Sequence, residues 1–276
     1  MKSTTELWLT LALATSALGC ASGTSAGAPP VDARPGAAPE AGGVGEPSAS
    51  YEVVGESAAG ATDLDALIDP FRAQMQEQLS EVLGQAAGAF VKADPEGTLD
   101  NLVADALLDE VQEWARAPVD IVLLNDGGLR VPIPAGPIQV RIAYELLPFE
   151  NYITVLTLSG AQVESLADQV AQTGGEPIAG WTMVLREGDA TSVQVAGESV
   201  DPDAQYRLAT VDYLADGGGS WSVLWEPMAR EDLPMLIRDI FVAYVREEGE
   251  VRPALDGRIV EGEGPGRDGQ LPGGGR

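Results

Sequence analysis

Apart from one short stretch near its start, this chain of 276 residues concentrates its large apolar side chains in about residues 51–260, so that is where a core can form. Residues 21 to about 50 are almost entirely Ala, Gly, Pro and Ser, with no aromatic residue. Such a segment buries too little to offset the entropy of ordering it, and it reads as a disordered linker. Residues 261–276 repeat that composition and read as a disordered tail. The span between them, 51–260, is long enough to bury one sizeable core.

Within that span the apolar period changes repeatedly. Leu64, Leu67, Ile68, Phe71, Met75, Leu79, Val82 and Leu83 recur at steps of three and four, which predicts an amphipathic helix. Pro70 falls inside it, and with Asp69 as a cap it is placed to open the main helix. A second helix is predicted from about Leu99 to Ala115, burying Leu102, Val103, Ala106, Leu107, Val111 and Trp114. Residues 120–125 read as a short, fully buried strand ending in Asp126-Gly127-Gly128, a turn that tolerates positive φ. Tyr152 to Leu158 alternates as a strand, and Ser159 is placed to cap a helix from Ala161 to Gln172. Residues 182–185 and 192–195 form a predicted hairpin, and Tyr206 to Val211 a further strand before Gly217-Gly218-Gly219. A last helix carries Leu233, Leu236, Ile237, Ile240, Phe241, Tyr244 and Val245 and ends at Gly249, with Trp221 and Trp225 packing beside it. Helices and strands interleave without a regular βαβ repeat, so the expected class is α+β, with helices layered around mixed sheets.

The formal charge is −27, and Lys2 and Lys92 are the only lysines. Such a surface repels phosphate backbones, which argues against nucleic acid as a partner. The chain has no histidine. That removes the commonest general base and metal ligand and excludes histidine-dependent chemistry. Asp212 and Asp216 near the glycine run lack the third ligand a transition metal needs, so no metal or other cofactor is expected.

Cys20 is the only cysteine. It follows an apolar stretch, Leu7 to Leu18, of signal-peptide length and too short to span a bilayer. Ala17-Leu18-Gly19-Cys20 resembles a bacterial lipobox, although Leu18 lies one place nearer the cysteine than usual. The expectation is a signal over 1–20, lipidation at Cys20 and an exported protein tethered to an envelope membrane. A signal cleaved after Gly19 or Ala21, or a buried thiol, are the alternatives.

Five blocks in order resemble the 5'-nucleotidase C-terminal domain. They are residues 100–107 (DNLVADAL), 124–130 (LNDGGLR), 144–149 (YELLPF) with Asn151 and 158–162 (LSGAQ), 213–218 (YLADGG) and 256–259 (DGRI). The resemblance implies a domain that recognises base and ribose, while a separate two-metal phosphoesterase domain performs hydrolysis. By position it implies Phe149 and Tyr213 as the rings that sandwich the base, Asn125 as its hydrogen-bond partner and Arg130 as a binding cation. The acidic residue that grips ribose in the family falls at Gly219, and a family arginine falls near Pro95. Two stacking faces offer about 1–3 kcal/mol each, and two missing charge-assisted contacts forgo about 1.5–3 kcal/mol each. Weak nucleoside or nucleotide binding without catalysis is therefore the expectation. The alternatives are a recognition subunit for a separate metallophosphoesterase and a structural module that binds nothing. Phe149 as a core aromatic, Tyr213 as a half-buried strand residue, Asn125 as a turn brace and Arg130 as a surface ion pair are the corresponding bland readings.

Overall fold

Turns and glycines divide the chain into short elements that meet only through tertiary pairing. The computed structural model describes residues 62–262, with side chains from residue 65. The chain divides into two units, 1–58 and 59–276, and all described residues fall in the second. The signal, Cys20, the linker and residues 263–276 lie outside the described residues.

The first elements are α1 (Thr62–Leu79), β1 (Val82–Ala86), α2 (Thr98–Val111), β2 (Ile121–Leu123), β3 (Gly136–Gln139) and α3 (Val140–Leu146). There follow β4 (Tyr152–Ser159), α4 (Gly160–Thr173), β5 (Ile178–Ala179), β6 (Trp181–Arg186), β7 (Asp189–Val195) and β8 (Glu198–Ser199). The last are β9 (Gln205–Val211), α5 (Asp212–Ala215), β10 (Ala229–Leu236), α6 (Ile237–Glu248), β11 (Glu250–Val251) and β12 (Ile259–Glu261). The main sheet has the order β10-β4-β9-β2-β5, and smaller sheets run β11-β1-β3 and β12-β6-β7-β8. Each sheet mixes parallel and antiparallel pairs: β2 runs parallel to β9, for example, while β4 runs antiparallel to it. The class is α+β, as the sequence predicts.

Helix α2 occupies the centre. Leu99, Leu102, Val103, Ala104, Ala106, Leu107 and Val111 are all buried, against α6, β2 and β5. Helix α4 begins as its sequence directs. The Ser159 hydroxyl accepts from the Gln162 N–H at 3.3 Å, and the Gln162 side chain accepts from the Ser159 N–H at 2.9 Å. This capping box satisfies two amides that a helix start leaves open. Arg258 closes the chain onto α2. Its side chain, one-tenth exposed, bonds both Asp105 oxygens at 2.7 and 3.0 Å, both Asp256 oxygens, and the Ile178 carbonyl at 2.8 Å.

Four sequence expectations change. The first helix stops at Leu79, and Val82 and Leu83 belong to β1, because pairing with β3 and β11 outweighs their helical spacing. Its apolar stripe stands in solvent, with Leu67 66%, Phe71 65% and Met75 58% exposed. Pro70 lies inside that helix, eight residues after its start, instead of opening it. Leu233 and Leu236 are strand residues of β10, so α6 starts later than expected, at Ile237. Trp114 and Trp225 are about half exposed, and of the tryptophans named as packing only Trp221 is buried.

Candidate nucleoside-binding site

Strand order gathers the candidate residues at one end of the main sheet. Ile121 and Val122 of β2 pair with Leu208 and Ala209 of β9, so both strands end on the same side. Ile153 of β4 pairs with Val211, which brings the start of β4 to that side too. Asn125 follows β2, Tyr213 follows β9 and Phe149 precedes β4. The loops at strand ends of such a sheet make the common crevice for a small ligand.

Asn125 has extended backbone angles and leads into a single 3-10 turn, Asp126–Gly128, closed by the Gly128 N–H on the Asn125 carbonyl at 2.9 Å. The two glycines serve a purpose other than the expected positive φ. A Cβ at Gly127 or Gly128 would stand 3.2 or 3.3 Å from the Asn125 amide. Glycine there leaves that amide room.

Phe149 sits in a segment held at both ends by α6. Arg238 donates to the Leu147 carbonyl at 3.0 Å, and the Ile237 N–H donates to the Asn151 carbonyl at 3.0 Å. The guanidinium also lies 4.2 Å from the centre of the Tyr144 ring, a cation–π contact. Between those anchors Phe149 is 48% exposed, so it is a surface ring and not a core aromatic. With Leu124, Asn125, Leu129 and Val211 it lines a shallow apolar cleft with about 20 Å³ of space, room for a water.

Tyr213 is 52% exposed. Its carbonyl accepts from the Gly218 N–H at 2.7 Å, and a Cβ at Gly218 would stand 2.5 Å from its ring. Backbone therefore covers part of the ring and the rest is open. Tyr213 and Asn125 line a second, polar hollow of about 430 Å³ with Gln169, Gln172, Thr173 and Glu176. Asn125 thus borders both hollows, one walled by Phe149 and the other by Tyr213.

Arg130 is not brought in with the other three. It lines neither hollow, and its guanidinium turns back to the Gly127 carbonyl at 3.1 Å. Gly219 lines the polar hollow at φ +75°, and a Cβ there would stand 3.0 Å from the Trp221 ring. A carboxylate at this position would be strained, so its absence follows from the local backbone. Pro95, at the other departure from the family pattern, packs its carbonyl where a Cβ of Gly175 would stand, 2.2 Å away.

Sequence reasoning missed Glu176. It accepts from the Asp126 N–H at 2.6 Å, while Lys92 pairs with the Asp126 carboxylate at 2.8 Å. Burial pushes the Glu176 carboxyl up to about 7, against the hydrogen bond from the Asp126 N–H, which lowers it; the Asp126 charge raises it to a lesser degree. Burial likewise lifts Asp100 to about 6. Asp216, considered as a metal ligand, is paired with Arg230. Among the described residues no group of three His, Cys, Asp or Glu could hold a metal ion.

A sequence profile described as the 5'-nucleotidase, C-terminal domain, matches residues 82–226. The chain belongs to this family. A member of the 5'-nucleotidase C-terminal domain family is thereby related to nucleotide catabolism. Among curated relatives, the trifunctional nucleotide phosphoesterase YfkN of Bacillus subtilis is 30% identical over 217 residues, 70% of this chain and 15% of that protein. Protein UshA of Escherichia coli is 26% identical over 212 residues, 72% of this chain and 36% of its own length. Among solved structures, a 5'-nucleotidase precursor from Thermus thermophilus superposes with a TM-score of 0.61 at 30% identity, covering 74% of this chain and 43% of that one. The NAD nucleotidase of Haemophilus influenzae shares the fold, with a TM-score of 0.59 at 18% identity over 72% of this chain and 41% of that one. The matched part of this chain thus covers less than half the length of each of these proteins.

Proposed function

We propose that this domain recognises nucleosides or nucleotides, stacking the base between Phe149 and Tyr213 with Asn125 bonding its edge. The observation that carries the reading is the convergence of three strand ends on Asn125, with a half-exposed ring on the hollow at either side of it. Stacking needs open ring faces and tolerates any base, so little discrimination among purines is expected. Arg130 belongs to the reading only if its bond to Gly127 opens. The 276 residues contain no histidine, which supports recognition without hydrolysis of their own. Purified protein with Mn²⁺, Mg²⁺ or Zn²⁺ should release no phosphate from AMP; sustained release that stays with the protein would refute this.

Calorimetric titration with adenosine tests the site. Phe149→Ala should weaken binding by about tenfold, toward the low end of the stacking range, and at 48% exposure it should leave the fold intact. Unchanged affinity would return Phe149 to a structural role. The chain is further proposed to be an envelope lipoprotein anchored through Cys20, in keeping with the apolar stretch before it. Cys20→Ser should move the protein from membrane to soluble fractions. A second reading, a recognition subunit for a separate metallophosphoesterase, is favoured by the uncovered apolar stripe Leu67, Phe71 and Met75 of α1. Restored hydrolysis on mixing with such a domain would support it.

A further inference from the structure

Carboxyl groups from several segments surround the turn that follows Asn125. Asp126 lies on the turn itself, Asp100 in the first turn of α2, Asp94 in the segment before that helix, and Glu176 just after α4. Two cations stand with them. Lys92 donates to the Asp126 carboxylate at 2.8 Å and to its carbonyl at 3.2 Å, and the Arg130 guanidinium rests on the Gly127 carbonyl. Neither forms an ion pair with Asp100 or Glu176 among the described residues.

Packing holds these acids in place. Asp100 is only 6% exposed; its Oδ2 accepts from the Ala93 N–H at 3.4 Å, and its buried Oδ1 has no donor. A Cβ at Gly97 would collide with that carboxyl, and one at Gly175 with the Pro95 carbonyl, so glycines let the segment 92–97 close on both sides. Glu176 accepts from the Asp126 N–H at 2.6 Å and bonds the Thr173 hydroxyl. Through Asp126 it ties the turn to the end of α4. It also lines the polar hollow of about 430 Å³, where Tyr213 is the only other titratable side chain.

Charge separates two arrangements of this cluster. A neutral Glu176 still offers an oxygen to the Asp126 N–H and adds no charge beside Asp126 and Asp100. An ionised Glu176 is one more carboxylate in a partly buried group served by one lysine, which burial and like charge both oppose. The hollow gives that carboxylate a hydrated place to go. We propose that the turn after Asn125 is operated by protons: with Glu176 and Asp100 neutral it stays tied to α4, and on ionisation Glu176 swings into the hollow, releases the Asp126 N–H and loosens the turn. The coupling to a ligand comes from Asn125, the residue next to that N–H, and this part rests on the base-stacking reading above. Burial raises the Glu176 carboxyl to about 7 and the Asp100 carboxyl to about 6. The tied form is therefore favoured below about pH 6 and given up as pH rises through about 7.

The test is amide hydrogen exchange of the full chain at about pH 5.5 and about pH 8.5, corrected for the intrinsic effect of pH. Protection of the Asp126 and Gly128 amides should fall by about tenfold between these values, the worth of one unit of pKa. Glu176→Gln keeps an acceptor for Asp126 and cannot ionise, so it should abolish the fall. Asp100→Asn removes a neighbouring charge and should move the midpoint to lower pH. Protection that is independent of pH, or that falls equally in Glu176→Gln, overturns the proposal. Adenosine, titrated calorimetrically at the same two pH values, should bind more tightly at the lower one by a similar factor. Constant affinity while protection falls overturns the coupling to the site. Adenosine that binds at neither pH sinks the base-stacking reading alone, and the exchange result still decides the switch.

Discussion

Tyr213 keeps part of its ring open because Gly218 has no side chain to cover it, and Asn125 has room for its amide because Gly127 and Gly128 have none either. At this scale the site depends on missing atoms. Glu176 is the reverse case, a group whose burial is costly. Its folded-state carboxyl sits near 7 against an ordinary value of 4.5. The unfolded chain ionises first, so the native state binds more protons between those values. Stability contributed by the neutral carboxyl is therefore present below about pH 4.5 and is lost as pH rises toward 7. Glu176→Gln should be nearly neutral at about pH 5 and stabilising at about pH 8, by up to about 3 kcal/mol, each kcal/mol being about 2–4 °C in Tm. Thermal melts at both pH values check this, and an equal effect at both would refute the burial argument. Phe149, Tyr213 and Asn125 were legible as candidates because each sits beside a motif of distinctive composition. Glu176 was not, since a Glu after two glycines reads as an exposed loop residue until Asp126, fifty positions away, folds onto it.

Elements rather than residues hold the Phe149 segment in place. Helix α6 grips it from both ends, through the Arg238 side chain on the Leu147 carbonyl and the Ile237 N–H on the Asn151 carbonyl. Arg238 is only 7% exposed and makes no ion pair among the described residues, so its role is to hold backbone and to stack on Tyr144. Arg238→Met keeps the length of the stem and removes the donor. It should cost about 1–3 kcal/mol for the carbonyl left unpaired and speed amide hydrogen exchange at residues 149–151. Unchanged exchange there would refute the clamp. The sequence pattern located α2, α4, β4, β9 and the β6–β7 hairpin well, because each carries a clear period and a cap or turn. It missed β1, β3, β10 and β11, whose residues become strands only by pairing with partners distant in sequence. Val82 and Leu233 continue a helical spacing that the neighbouring strands override.

For the whole domain the decisive closure is the return of the C-terminal segment to α2. Arg258 binds Asp105 across 153 positions, and the Glu96 carboxylate accepts from the backbone N–H groups of Asp256 and Gly257. Arg258→Met should cost about 2–3 kcal/mol in urea denaturation, less than for a fully buried pair because the Asp105 and Asp256 side chains are 40% and 58% exposed. A loss below about 0.5 kcal/mol would mean that the segment is held by β12 pairing alone. The sequence by itself determined the α+β class and the family, since these depend on local period, composition and short motifs. It also determined which three side chains to examine for a base. Only the tertiary structure decided that they meet at one sheet end, that Arg130 turns away and that Glu176 and Gln169 stand beside them. Those outcomes depend on strand order, backbone approach at glycines and the burial of polar groups by distant segments, and none of these is encoded in a local pattern.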